Sequence, residues 1–261
     1  MGIRRLPAAA IALLMALACP LHAQPLPLAE QANAAGSRTG VAGLLRAQVL
    51  LDRAHFSPGE IDGVAGSNQR RAVRGYQRAK GIPVTGELDE VTWRALDADA
   101  VPVVTTYTLT EQDVGQSFRS IPEDMMAQSK LDALGFESIE EALGERFHAS
   151  PALLATLNPG VDFSKAGAQI LVPNVADAGP LPKAAKLLID KSDSTIALMD
   201  ASGQVFAQFP VSSGSERDPL PIGEWKILGT ATNPTFHYNP ELFWDADPAH
   251  AKAKLPAGPN N

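Results

Sequence analysis

The apolar residues of this chain follow two rhythms, a helical one toward the N-terminus and a strand-like one toward the C-terminus, with a mixed stretch between them. Val41, Leu44, Leu45 and Leu51 share one helical face with Gln48 as its polar exception, which predicts an amphipathic helix over Val41 to Ala54. Breakers then crowd Phe56-Ser-Pro-Gly-Glu-Ile-Asp-Gly-Val-Ala-Gly66. Ser67 or Asn68 is placed to cap a second helix running to Lys80, with Gly81 as its left-handed stop and Ala72, Val73, Tyr76 and Ala79 as its buried stripe. Thr85-Gly-Glu-Leu-Asp89 supplies the next turn and cap. Val91-Thr-Trp-Arg-Ala-Leu96 follows as a short third helix with Trp93 and Leu96 inward.

From Val101 to Val175 the rhythm alternates. Val103-Val-Thr-Thr-Tyr-Thr-Leu109 reads as a strand, Ser138 with Glu141 as a capping box opening a helix to Phe147, and Ser150-Pro151 as a cap with proline at the first helical position. Gln169-Ile-Leu-Val-Pro173 closes the stretch as a second strand. Pro173 to Pro182 is a linker, and beyond it lie three short strands: Lys186 to Ser192, Ser194 to Asp200 and Val205 to Val211. That order is a β-meander. Ser212 to Gly223 is a loop, and Glu224-Trp-Lys-Ile-Leu228 is predicted as a fourth strand.

Composition adds an address. Two arginines in Met1-Gly-Ile-Arg-Arg-Leu, an apolar run from Ala8 to Ala18 and a small residue at Ala23 make the layout of a signal peptide cleaved after residue 23. The run from Leu6 to Ala18 spans about 20 Å as a helix against a hydrocarbon core of about 30 Å, which argues against a lasting membrane anchor. The only cysteine is Cys19, so the protein left after cleavage uses no disulfide. Residues 24–40, rich in Ala, Pro, Gln and Gly, are expected to be a flexible leader. A formal charge of −7 argues against nucleic acid as partner.

Three resemblances give these elements a context. Residues 41–98 resemble the three-helix peptidoglycan-binding domain through Ile61-Asp-Gly63, Gly66-x-Asn68, Ala72-Val73, Tyr76-Gln77, Gly86-x-Leu-Asp89 and Thr92-Trp93, with Gln69 where that family usually has threonine. Residues 101–175 resemble a LysM module of strand, helix, helix, strand through Tyr107-Thr-Leu, Leu143 to Phe147, Leu157-Asn-Pro159 and Gly167-x-Gln-Ile-Leu-Val-Pro173, with Gln116 to Phe136 as an insertion. Residues 183–261, after a linker at 176–182, resemble the front part of the mostly β L,D-transpeptidase catalytic domain, the YkuD-like fold. Asp200-x-x-Gly203, Phe209-x-Val-Ser-Ser-Gly214, Asp218-Pro-Leu-Pro-Ile-Gly223, Phe236-His-Tyr-Asn-Pro240 and Leu255-Pro-Ala-Gly-Pro-Asn-Asn261 carry that likeness. The expectation is a multi-domain α+β protein, exported to the periplasm or cell wall, with an incomplete catalytic domain.

What the last resemblance implies is a cysteine thiolate that attacks the bond between meso-diaminopimelate and D-alanine in a tetrapeptide stem. D-alanine leaves, and an amine of a second stem takes the thioester to give a 3→3 cross-link. In the family a His-Gly pair and a Ser-His-Gly-Cys run carrying the thiol follow the Gly-Pro-Asn-Asn run. This sequence stops at Asn261, so no catalytic residue is assigned, the chain alone is expected to be inactive, and the alternative is a peptidoglycan-binding protein without catalysis.

No metal or cofactor is expected. His237 and His250, with Glu241, Asp245 and Asp247 between them, lack the spacing of a helical zinc site. The partners expected are glycan strands and stem peptides. Asp62, Gly63, Arg74 and Gln77 are the candidate wall contacts. For each a structural reading stands beside the functional one: a glycine turn at Asp62-Gly63, a loop tie at Gln77, and a solvated face for Arg70, Arg74 and Arg78. Gly214, Tyr238 and Asn260 are candidates for the substrate cleft, with Phe236, Tyr238, Phe243 and Trp244 either lining it or forming core. His148 reads as a surface residue.

Overall fold

The computed structural model describes residues 26–175, 180–214, 216–217 and 219–259. The segment expected to be a signal peptide therefore lies outside the described residues, as does most of the linker. The first domain is built on α2 (Gly40–Arg53), which is buried almost all round from Leu45 onward, far beyond the one stripe its sequence shows. Two neighbours explain this. α1 (Leu28–Asn33) lies on α2 with Ala29 and Ala32 buried, small side chains that allow close approach. Part of the expected leader is thus a packed helix.

α3 (Ser67–Lys80) and α4 (Glu90–Leu96) complete this domain, with Trp93 and Leu96 inward. Gly81 ends α3 at φ 64°, as its sequence foretells. The start of α3 differs from expectation. Its cap is Gly66, because the Ser67 hydroxyl and the Asn68 side-chain oxygen both accept hydrogen bonds from Arg71.

The second neighbour of α2 is the middle module, whose β1 (Val104–Thr108) and β2 (Gln169–Pro173) pair antiparallel from Val104 opposite Pro173 to Thr108 opposite Gln169. Two helices between them, α7 (Ile139–Arg146) and α8 (Pro151–Leu157), are capped by Ser138 and Ser150. Two one-turn helices, α5 (Glu111–Val114) and α6 (Met125–Gln128), precede α7. Buried Asp113 of α5 accepts hydrogen bonds from Thr110, Tyr107 and Arg146. One apolar core runs through both modules, from Ala29 to Val175.

The last module opens with the expected meander: β3 (Lys186–Asp190), β4 (Thr195–Met199) and β5 (Val205–Pro210), antiparallel with β4 in the middle. Residues 224–228 form no strand, contrary to the sequence pattern. Among the described residues they pair with no neighbour, and Trp225, Ile227 and Leu228 stand 65–92 % exposed. Pattern alone cannot make a strand whose backbone groups meet no ladder. Instead a short hairpin forms further on, β6 (Phe236–Tyr238) against β7 (Ala253–Leu255), with a 3₁₀ turn at Pro240–Leu242 between them.

The breaker-rich loop after α2 joins all three modules. Gln208 of β5 donates its N–H to the His55 carbonyl and accepts from the Ser57 N–H, both at 2.9 Å, so this loop covers the free edge of β5. A few residues on, the Ile61 N–H donates to the His148 carbonyl at 2.7 Å and the Ser150 N–H to the Ile61 carbonyl at 2.9 Å. Arg53 at the end of α2 donates to the carbonyls of Val101, Pro102 and Asn174, fastening the ends of the middle module's two strands.

Candidate functional site

Two buried glutamines organise the loops of the first domain. Gln48, the exception in the apolar stripe, accepts hydrogen bonds from the Asp62 and Gly63 N–H groups at 3.1 and 2.7 Å. Its own amide donates to the Asp62 carboxylate at 2.8 Å and to the Val64 carbonyl at 3.1 Å. Gly63 sits at φ 72°, where a side chain is strained and where a Cβ would come within 3.0 Å of Val41. The Asp62 carboxylate also accepts from the Val64 N–H. Asp62 and Gly63 therefore shape a turn braced from α2.

Gln77 does the same for the next loop. It is fully buried, donates to Thr85 Oγ1, the Glu87 carbonyl and Thr92 Oγ1 at 2.8–3.1 Å, and accepts from the Gly86 N–H at 2.9 Å. No polar atom of it is left for a glycan. The structure thus forms the loop tie that the sequence offered at Gln77 beside a wall contact, with the amide's bonding capacity filled inside the fold. Of the four wall-contact candidates, two thus shape one loop, one holds another, and Arg74 faces elsewhere.

Arg74 meets the third module. Its guanidinium lies 3.1 Å from Asp193 in the β3–β4 turn, both side chains about one-third exposed. Next to it, Gln208 reaches over α3 and donates to the Arg71 carbonyl at 3.0 Å, so closely that a Cβ on Gly75 would lie 2.6 Å from its side-chain oxygen. Gly75 is the opening in α3 that admits β5. The basic helical face expected to be solvated is in this part an interface between modules.

His148, read as a surface residue, is half exposed but bonded. It adopts φ 53° and holds its Nδ1 2.9 Å from the buried Asp52 carboxylate, which raises its pKa through that hydrogen bond against the opposing effect of burial. A cavity of about 310 Å³ opens beside it, between Gly59-Glu60 and the α7–α8 corner, with Glu141 and Glu145 on its walls.

Around the last hairpin the aromatics divide. Tyr238 is buried, while Phe236, Phe243 and Trp244 stand 41–62 % exposed. The Tyr238 hydroxyl lies 2.9 Å from His250 Nδ1, and His250 Nε2 lies 2.8 Å from the Asp124 carboxylate on the middle module's insertion. Burial and the carboxylates of Asp124, Asp245 and Asp247 push the Tyr238 hydroxyl's pKa up. Gly214 is exposed at φ 82° in a bridge to Pro219. Asn260 lies outside the described residues.

Between the insertion and residues 256–259 lies a cleft of about 490 Å³, lined by Gln116, Asp132, Gly135 and Phe136 on one side and by Pro256 and Gly258 on the other. The sequence held no sign that the insertion and the C-terminal segment meet. Gln48 alone left a trace, as a polar residue on an apolar face. Among the described residues no group of three His, Cys, Asp or Glu side chains is arranged to hold a metal ion, and no helix is long and apolar enough to cross a membrane.

Comparison with known families agrees with two of the three modules. Residues 41–96 match the peptidoglycan binding domain, and residues 184–261 match the L,D-transpeptidase catalytic domain. No curated protein matches the chain.

Proposed function

We propose that this chain, a member of the L,D-transpeptidase family carrying a peptidoglycan-binding domain, grips the cell wall outside the cytoplasm and presents stem peptides for 3→3 cross-linking. The observation that supports this reading is the pairing of the two family matches with the direct seating of β5 on α3. A binding domain fastened to a catalytic domain keeps the chemistry close to the strand it holds, which raises the local concentration of stems. The reaction needs a thiolate, activated by a neighbouring histidine, and backbone N–H donors for the oxyanion. In it the first domain holds the wall and the last module faces the stem peptide. The middle module acts in it as a LysM-like spacer or glycan binder.

Two measurements on the purified protein test the proposal. It is expected to sediment with isolated sacculi, and failure to do so refutes the wall-binding reading. Soluble glycan strands released from sacculi are expected to compete for that sedimentation, and absence of competition counts against a specific grip on the wall.

A further inference from the structure

The cavity of about 310 Å³ beside His148 lies where the first domain meets the middle module, and charge is spread unevenly around it. Gly59 and Glu60 of the breaker-rich loop form one wall; Glu141 and Glu145 of α7, with His148 at the corner after it, form the other. All three glutamates are exposed. Among the described residues lining the cavity His148 is the only one able to carry positive charge. Arg53 and Arg146, close in sequence to Asp52 and His148, are turned away to Asp99 and Asp113. The α8 side contributes Ala149 and Pro151, which carry no charge.

Three bonds draw the two walls together at this corner. The His148 carbonyl accepts from the Ile61 N–H at 2.7 Å, the Ser150 N–H donates to the Ile61 carbonyl at 2.9 Å, and His148 Nδ1 lies 2.9 Å from the buried Asp52 carboxylate. A nitrogen facing a carboxylate keeps its hydrogen in both charge states of the ring, so this last bond survives deprotonation. What changes is the charge. Protonated, the ring pairs with Asp52 and offsets the glutamates around the cavity; neutral, it leaves Glu60 on one wall and Glu141 and Glu145 on the other without a counter-charge. The Asp52 hydrogen bond favours the protonated ring, burial opposes it, and the charges of Asp52 and Glu145 add to the first.

We propose that His148 is a pH-operated clasp between the first domain and the middle module: protonated, it holds the loop at Glu60 and Ile61 against the α7–α8 corner, and neutral, it lets the carboxylates on the two walls push the loop off that corner. The modules themselves stay together, because one apolar core runs through both. The loop is also anchored on either side, Ser57 to Gln208 and Asp62-Gly63 to Gln48, so the lifting is confined to the residues between. The clasp is fully closed below about pH 6.5, the ordinary histidine value, and opens as pH climbs through the raised value of the folded protein. It involves no ligand and stands apart from the wall-binding reading.

The test is amide hydrogen exchange of the purified protein by nuclear magnetic resonance from about pH 5.5 to about pH 8, each rate divided by the intrinsic rate at that pH. The Ile61 and Ser150 amides make the bonds that the clasp closes. Their protection is expected to fall about three- to tenfold over this range, the scale of one or two partly exposed charge pairs. The Gly86 amide, bonded to Gln77, and the Leu171 amide, bonded to Asn158, report on each module away from the corner and are expected to change less than about twofold. His148→Asn keeps a side-chain donor and suits the φ of 53° but does not titrate, and is expected to abolish the fall. Glu60→Gln removes the charge from the loop wall and is expected to reduce the fall to less than about threefold.

Protection at Ile61 and Ser150 that stays level with pH, or that falls as steeply in His148→Asn, overturns the clasp. A parallel fall at Gly86 and Leu171 overturns it too, since pH then acts on the stability of the whole fold and not on the corner. Should His148→Asn fail to fold, a fall in Glu60→Gln as large as in the wild type overturns the proposal by itself.

Discussion

Replacing Gln77 by alanine separates a structural glutamine from a ligand contact. The side chain is fully buried and its amide holds Thr85, Glu87, Thr92 and Gly86 together. Removing it leaves the buried Gly86 N–H without its acceptor, a loss of about 1–3 kcal/mol. The vacated volume adds about 1–2 kcal/mol more, because the loop can collapse only in part. Equilibrium unfolding in urea is therefore expected to show a loss of about 2–5 kcal/mol with an unchanged slope, and the melting temperature to fall by on the order of 10 °C. Gln77→Met refills the volume but not the hydrogen bonds, and is expected to recover only the cavity share. Below its lowered melting temperature, Gln77→Ala should sediment with sacculi as the wild type does. A variant of unchanged stability that no longer sediments would falsify the loop-tie assignment.

Three further outcomes follow from contacts elsewhere. Gly75→Ala alone is expected to destabilise, since its Cβ meets the bonded Gln208 amide at 2.6 Å. In a Gln208→Ala background the same change is expected to stabilise by up to about 1 kcal/mol through helix propensity, and a double-mutant cycle without that reversal of sign sinks the docking argument. His148 has a raised pKa because of its hydrogen bond to Asp52, so its contribution is full below about 6.5, the unfolded value, and is lost as pH rises through the folded value. Melting temperatures measured from pH 5.5 upward should fall less steeply in His148→Asn, and identical slopes count against the clasp. Burial pushes the Asp113 carboxyl up, but hydrogen bonds from Thr110, Tyr107 and Arg146 outweigh it and bring its pKa down to about 2. Its stabilisation, about 2 kcal/mol, is present above about pH 3.9 and lost as pH falls toward 2; acid titration of Asp113→Asn should lack that loss.

Much of this molecule can be read from local pattern. Helical spacing around Ala72, Val73 and Tyr76, the stop at Gly81, the caps at Asp89, Ser138 and Ser150 and the short apolar runs of β3 to β5 each act over a few residues, so the sequence alone determines them. The order of the two matched domains is legible for the same reason. Glu224 to Leu228 shows where that logic stops, since a strand also needs a neighbour, and no local signal supplies one.

Only the tertiary structure decided what the polar residues do. Gln77 and Arg74 carry groups suited to a sugar or an acidic peptide. Which of them meets a loop, and which meets another module, depends on residues 8 to 119 positions away. The insertion is the extreme case, because Asp124 and His250 acquire a meaning only when two distant modules close on a common cleft. Side-chain chemistry is written residue by residue, but the partner that fixes its use is chosen by packing.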